Sequence, residues 1–158
     1  MDHTVLSSVF KGLPRLTEVG IHFRMMVKGQ KWLELYPCFS QMTMKTKSWE
    51  HHIRVVSHDI WIAKYSGGSI QTIDLLALNL WASDRQHDSA LSESLHKLLS
   101  SVRILRLTAS HSALNVLSLY TLNLYHFNMC RMIAPHAALR DFLTYNGKSI
   151  RSIQCIQP

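Results

Sequence analysis

The sequence predicts an α+β fold, an antiparallel sheet packed against a few helices in a single compact domain, and three observations predict it. The stretch IHFRMMVKGQKWLELY alternates apolar and polar residues on both sides of a Gly-Gln pair. Several later segments space their apolar residues at three and four, as a helix face does. Strand-like and helix-like segments then follow one another without βαβ regularity.

In chain order, residues 1–20 read as a short arm, broken at Gly12-Leu13-Pro14. Residues 21–158 read as the single domain, with no linker, low-complexity tract or internal repeat in view. Ile21, Phe23, Met25 and Val27 fall on one side of the first strand, and His22, Arg24 and Lys28 on the other. Gly29-Gln30 supplies the turn, and KWLELY returns as the partner strand, so the hairpin has a basic tip at Lys28 and Lys31. After Pro37, Met42, Trp49, Ile53 and Val56 lie on one stripe, which predicts a helix over about residues 39–56. DIWIAKY reads as a strand closed by Ser66-Gly67-Gly68, and IQTIDLLALNLWA as either a buried strand or a short helix. HDSALSESLHKLLSS is helical, with Leu91, Leu95, Leu98 and Leu99 inward and Ser89 as its cap. VRILRLT and NVLSLYTLNLYHF read as strands, APHAALRDFLTY as a helix with Pro135 near its first turn, and Asn146-Gly147 as a turn into the last strand, KSIRSIQCI.

The composition limits the function classes. With 158 residues, 47% apolar and 17% charged, the chain can bury a core and is not of disordered type. Lys and Arg outnumber Asp and Glu by 17 to 10, a net charge of +7, and no acid lies between Glu93 and Asp141. Such a field favours polyanions: nucleic acid, acidic proteins or anionic lipid. Cys38, Cys130 and Cys155 are odd in number and widely spaced, which fits neither a disulfide framework nor a zinc ribbon and suggests a reducing compartment. MDHTVLSSVFKGLPRL lacks the apolar run of a secretory signal. The longest apolar run, near DLLALNLWA, falls short of the ~20 residues of a membrane span.

The one dense cluster of chemistry-bearing residues is KSWEHHIRVVSHD, residues 47–59. A helical zinc site needs two histidines four apart, and the partner positions of His51 and His52 hold Val55 and Val56. His51 and His58 lie about 10 Å apart along a helix, too far to share an ion. Glu50 and Asp59 do not share a helix face, no nucleophile elbow is present, and neither GxGxxG nor GxxxxGK[ST] occurs. The expectation is a protein that is not an enzyme and carries no cofactor and no metal.

MMVKGQKWLELYPCFSQMTMKTKSWEHHI carries a further signal. Met25-Met26-Val27-Lys28, the turn Gly29-Gln30-Lys31, Tyr36 and Ser48-Trp49-Glu50-His51 together resemble the matrix proteins of rhabdoviruses, the vesiculovirus branch in particular. IWIAKYSGGS and TLNLYHFNMCRMIAPHAALRDFL resemble the apolar strand and the strand-to-helix Ala-Pro junction of that family. The chain departs from it in lacking a lysine-rich arm and the PPxY and P[ST]AP motifs, two losses that a plant-infecting cytorhabdovirus would tolerate, and in being shorter than the animal-virus members. The resemblance implies a matrix protein that self-associates as a homo-oligomer and links the viral ribonucleoprotein, or its RNA, to the membrane. Its expected places are the virion, the host cytoplasm and the inner face of host or viral membrane, held peripherally with no transmembrane span.

The expected polyanion contacts are Lys28 and Lys31 at the hairpin tip with Lys45, Lys47 and Arg54 on the first helix, each contributing about 1 kcal/mol near an anionic surface. Arg103, Arg106, Lys148 and Arg151 are secondary candidates. Trp32 is the expected interface residue, and Trp49, Trp61 and Trp81 are expected in the core. The alternative is a small RNA-binding accessory protein, such as a silencing suppressor, stacking bases on Trp32, Tyr36 or Tyr65.

Overall fold

The computed structural model describes residues 3–23, 46–78 and 89–156. Along them run α1 (His3–Gly12), β1 (Glu18–His22), α2 (Thr46–Tyr65), β2 (Thr72–Leu76), α3 (Ser89–Ser100), β3 (Ile104–Thr108), α4 (Ala113–Leu117), β4 (His126–Cys130), α5 (His136–Asn146) and β5 (Ser152–Ile156). The strands form one sheet in the order β1-β2-β3-β4-β5, and every neighbouring pair is parallel. The expected antiparallel sheet is therefore overturned, and the fold is α/β. The physical reason lies in the connections. A parallel neighbour requires the chain to return to the starting end before the next strand begins, which takes a dozen residues or more and accommodates a helix. Each successive pair of strands here has a helix between them in sequence.

Strand order equals chain order. Because parallel crossovers share one hand, successive connections in that order stack on the same face of the sheet. The result is a solenoid, in which each strand-and-helix unit buries its apolar side against its neighbours. Ile73, Leu75, Leu105, Leu107, Phe127 and Met129 are buried on the helix side, among Ile53, Ile60, Leu95, Leu98, Leu99, Leu114 and Phe142.

An internal repeat, not apparent in the sequence, is thereby revealed. Apolar residues recur at i, i+3 and i+5: Leu16-Val19-Ile21, Ile70-Ile73-Leu75, Val102-Leu105-Leu107, Leu124-Phe127-Met129 and Ile150-Ile153-Cys155. The backbone repeats with them. The carbonyls of Thr17, Gln71, Arg103 and Tyr125 each accept two N–H groups from the start of the next strand. At the other end, the N–H groups of Phe23, Ala77, Ala109 and Arg131 donate to Leu76, Thr108, Cys130 and Ile156. Ala77, Ala109 and Arg131 each follow the last strand residue and have φ of 59°, 50° and 51°. That left-handed turn costs a non-glycine residue about 1–2 kcal/mol, and it persists because the ladder pins both sides.

DIWIAKY, expected as a strand, is the second half of α2. Ile60 and Ala63 face the core one turn apart, and Trp61 between them is 54% exposed. The helix closes by the N–H of Gly68 on the carbonyl of Ala63 and that of Gly67 on Lys64, with Gly67 at φ 91°. This is a Schellman closure, so Ser66-Gly67-Gly68 ends a helix where a strand end was expected. NVLSLYTLNLYHF is likewise mostly non-strand: it holds most of α4, and only His126 and Phe127 join β4. IQTIDLLALNLWA supplies β2, α3, β3 and β5 fall within the segments expected for them, and α5 runs one residue past its own, to Asn146. The hairpin tip and its return strand lie outside the described residues. The first twenty residues supply α1 and most of β1, with Phe10 buried in the core.

Ser110 locks two repeats. Its buried hydroxyl accepts the N–H of Leu78 at 2.9 Å and has the carbonyls of Leu75 and Thr108 within donating distance, at 2.9 and 3.0 Å. Ser110→Ala leaves the buried Leu78 N–H without its partner, so urea denaturation is expected to register a loss of about 1–3 kcal/mol. A loss indistinguishable from zero would mean that the turn does not depend on this bond.

Candidate recognition face

Residues alternate sides along a strand, so burial of one set leaves another facing away from the helices. The register aligns that second set in three rows: Glu18, Thr72, Ile104, His126 and Ser152; Gly20, Asp74, Arg106, Asn128 and Gln154; His22, Leu76, Thr108, Cys130 and Ile156. At about 4.8 Å between strands and 3.3 Å per residue, the grid measures roughly 19 by 13 Å.

One polar network crosses it. The Arg106 guanidinium donates to Glu18 Oε1 at 2.7 Å, two strands away, and lies 3.7 Å from Asp74 Oδ2 on the strand between. Thr108 Oγ1 donates to the other oxygen of Asp74 at 3.1 Å. Arg106 is thus held by two acids on its β1–β2 side, and Asp74 accepts one hydrogen bond from Thr108 beside the Arg106 charge. The two carboxylates and one guanidinium of this face sum to −1 on a chain of +7. The field that favours polyanions has its source elsewhere.

The expected polyanion residues are not gathered here. Arg54 is exposed on α2, and Lys47 occupies the first turn of the same helix. Lys28, Lys31, Lys45 and Trp32 lie outside the described residues. Of the secondary candidates, Arg106 is engaged by two acids, whereas Arg103, Lys148 and Arg151 are exposed. The Arg103 guanidinium sits 5.3 Å from the centre of the Tyr125 ring. Burial, with the Arg103 charge nearby, holds the Lys64 ammonium below its usual range. Trp61, expected in the core, is exposed and stacks on Tyr65. Among the described residues no group of three His, Cys, Asp or Glu side chains could hold a metal ion.

Reading from the residues alone passed over Glu18, Asp74 and Asn128, because polar residues inside short strands carry no motif. The signal that could have found them is the i, i+3, i+5 apolar repeat, whose intervening position i+4 holds Gly20, Asp74, Arg106, Asn128 and Gln154. No protein-family model, curated protein or solved structure matches the chain.

Proposed function

We propose that this chain is a recognition module that converts no substrate and holds a peptide segment of a partner against the face of its parallel sheet turned away from the described helices. The observation that carries the reading is the Glu18–Arg106–Asp74–Thr108 network, pre-oriented across three strands on the face turned away from the core. Strand-and-helix solenoids, with leucine-rich apolar spacing among them, present such a face for binding. At roughly 250 Å², the grid is well below the ~800 Å² per partner of a standard protein interface, which favours an extended segment over a folded domain. The net negative charge of the face favours a neutral or basic segment and opposes nucleic acid.

Selection from displayed random peptides tests the reading. Enriched peptides are expected to carry Lys or Arg, and Asp74→Asn or Glu18→Gln is expected to weaken them about tenfold, while Lys148→Ala leaves them unchanged. Enrichment of acidic peptides, or binding indifferent to both face variants, would refute it.

A second reading is the self-associating matrix protein implied by the family resemblance, and the edge of β5, which pairs on one side only among the described residues, favours it. Ile153, Cys155 and Ile156 are exposed there, while the residues that match Ile153 and Cys155 on β2 and β3 are fully buried. An uncovered strand edge with apolar side chains is a template for pairing with another chain. Sedimentation with anionic liposomes at low and high salt separates the two readings. Salt-sensitive pelleting that Ile153→Lys abolishes supports the matrix reading, and a monomer that ignores lipid supports the first.

A further inference from the structure

On the helix side, a cleft of about 430 Å³ lies between α2 and α3, lined by Arg54, Ser57 and His58 from one helix and Ser94 and Lys97 from the other. Its size falls within the range of small-ligand sites, about 300–1,000 Å³. The contributors sit at i, i+3 and i+4 on α2 and at i and i+3 on α3, so each helix gives one face to the groove. Among the described residues neither Arg54 nor Lys97 is in an ion pair, and both are exposed. Ser57 is 4% exposed, and its hydroxyl has no hydrogen-bond partner among the described residues. Two cations, two serine hydroxyls and an imidazole around one cleft make a donor set for an oxyanion, and a phosphoryl group accepts from all of them.

The stripe that begins at Arg54 continues along α2. His58, Trp61 and Tyr65 follow at helical spacing, with ring centroids 6.4 and 5.6 Å apart and planes inclined by 21° and 18°. Trp61 is 54% and Tyr65 85% exposed, which forms an aromatic ledge beside the cleft. From His58 to Trp61 the helix rises about 4.5 Å, the scale of the sugar that separates a phosphate from its base. Nucleobases stack on such rings whatever their sequence.

We propose that the cleft between α2 and α3 binds a nucleoside monophosphate unit, with its phosphate held by Arg54, Lys97 and Ser57 and its base on Trp61 and Tyr65. The site is independent of the sheet face and of any partner held there. A free nucleotide and a single strand share this chemistry.

The test titrates the full chain with adenosine 5′-monophosphate, adenosine and inorganic phosphate at constant ionic strength, following tryptophan emission and equilibrium dialysis. The monophosphate is expected to bind at least about tenfold more tightly than either fragment and to quench emission. Arg54→Ala and Lys97→Ala, both exposed positions, are each expected to weaken it about tenfold with the circular dichroism unchanged. Trp61→Phe is expected to remove the quench while dialysis still registers binding. A short oligoadenylate identifies the source: tighter binding than the monophosphate assigns a strand, and equal binding a free nucleotide. The proposal is overturned if the monophosphate binds no better than phosphate or adenosine, or if Arg54→Ala and Lys97→Ala titrate like the native chain.

Discussion

Phe127→Ala is expected to lower the unfolding free energy by about 3–5 kcal/mol, a large share of the roughly 5–15 kcal/mol of an ordinary domain. Phe127 is fully buried on β4, and its ring meets that of Phe142 on α5 at 4.7 Å between centroids, tilted by 44°. The pair joins sheet to helix in one repeat, so truncation opens a cavity between two layers that the hydrogen-bond ladder prevents from collapsing. In a stack whose units contact only their neighbours, the damage also spreads to β5, which has β4 as its pairing partner in the sheet. Urea denaturation followed by circular dichroism measures the loss. Phe127→Leu, which keeps much of the volume, is expected to recover more than half of it. If the alanine variant loses less than about 1 kcal/mol, the layer contact is not what holds the C-terminal repeats.

Asn146→Ala is the second, with an expected loss of about 3 kcal/mol. The side chain is 1% exposed and works as a clamp. Its amide nitrogen donates to the carbonyls of Tyr120 at 3.0 Å and Phe142 at 2.9 Å, and its oxygen accepts the buried N–H of Leu122. One side chain thus ties the end of α5 to the segment that leads from α4 into β4, where no regular ladder satisfies the backbone. Alanine removes all three bonds and leaves buried groups without partners, which costs more than the net value of the bonds themselves. Asn146→Asp keeps the acceptor but sets a carboxylate against two carbonyl oxygens, and it is expected to be at least as damaging at neutral pH. Thermal unfolding of the two variants beside the native chain checks the order. An aspartate variant as stable as the native chain would mean that the clamp needs only its acceptor.

The same residue illustrates how far local reading reaches. Asn146-Gly147 was legible as a turn from its dipeptide, and α5 does end there. Yet Gly147 has φ −60°, so the pair is not the left-handed turn that its composition favours. What the asparagine does depends on residues 24 and 26 positions away. Trp61 makes the converse point. With its apolar neighbours Ile60 and Ile62 it made DIWIAKY read as a strand, but the segment is helix, closed by Gly67 and Gly68, and the indole is exposed.

Composition and local apolar spacing were sufficient to place α3, α5, β3 and β5 near their observed positions, because caps, periodicity and β-branched content act within a few residues. They also established a cationic chain with enough apolar residues for a core. Whether the strands run parallel, which polar side chains share a face, and that Arg106 is held by Glu18 from 88 residues away were decided only in three dimensions. The reason is that strand direction and register are properties of pairs. The same Val, Ile and Leu alternation suits either direction, and the crossover lengths vary too much for the repeat to stand out until the backbone ladder aligns it.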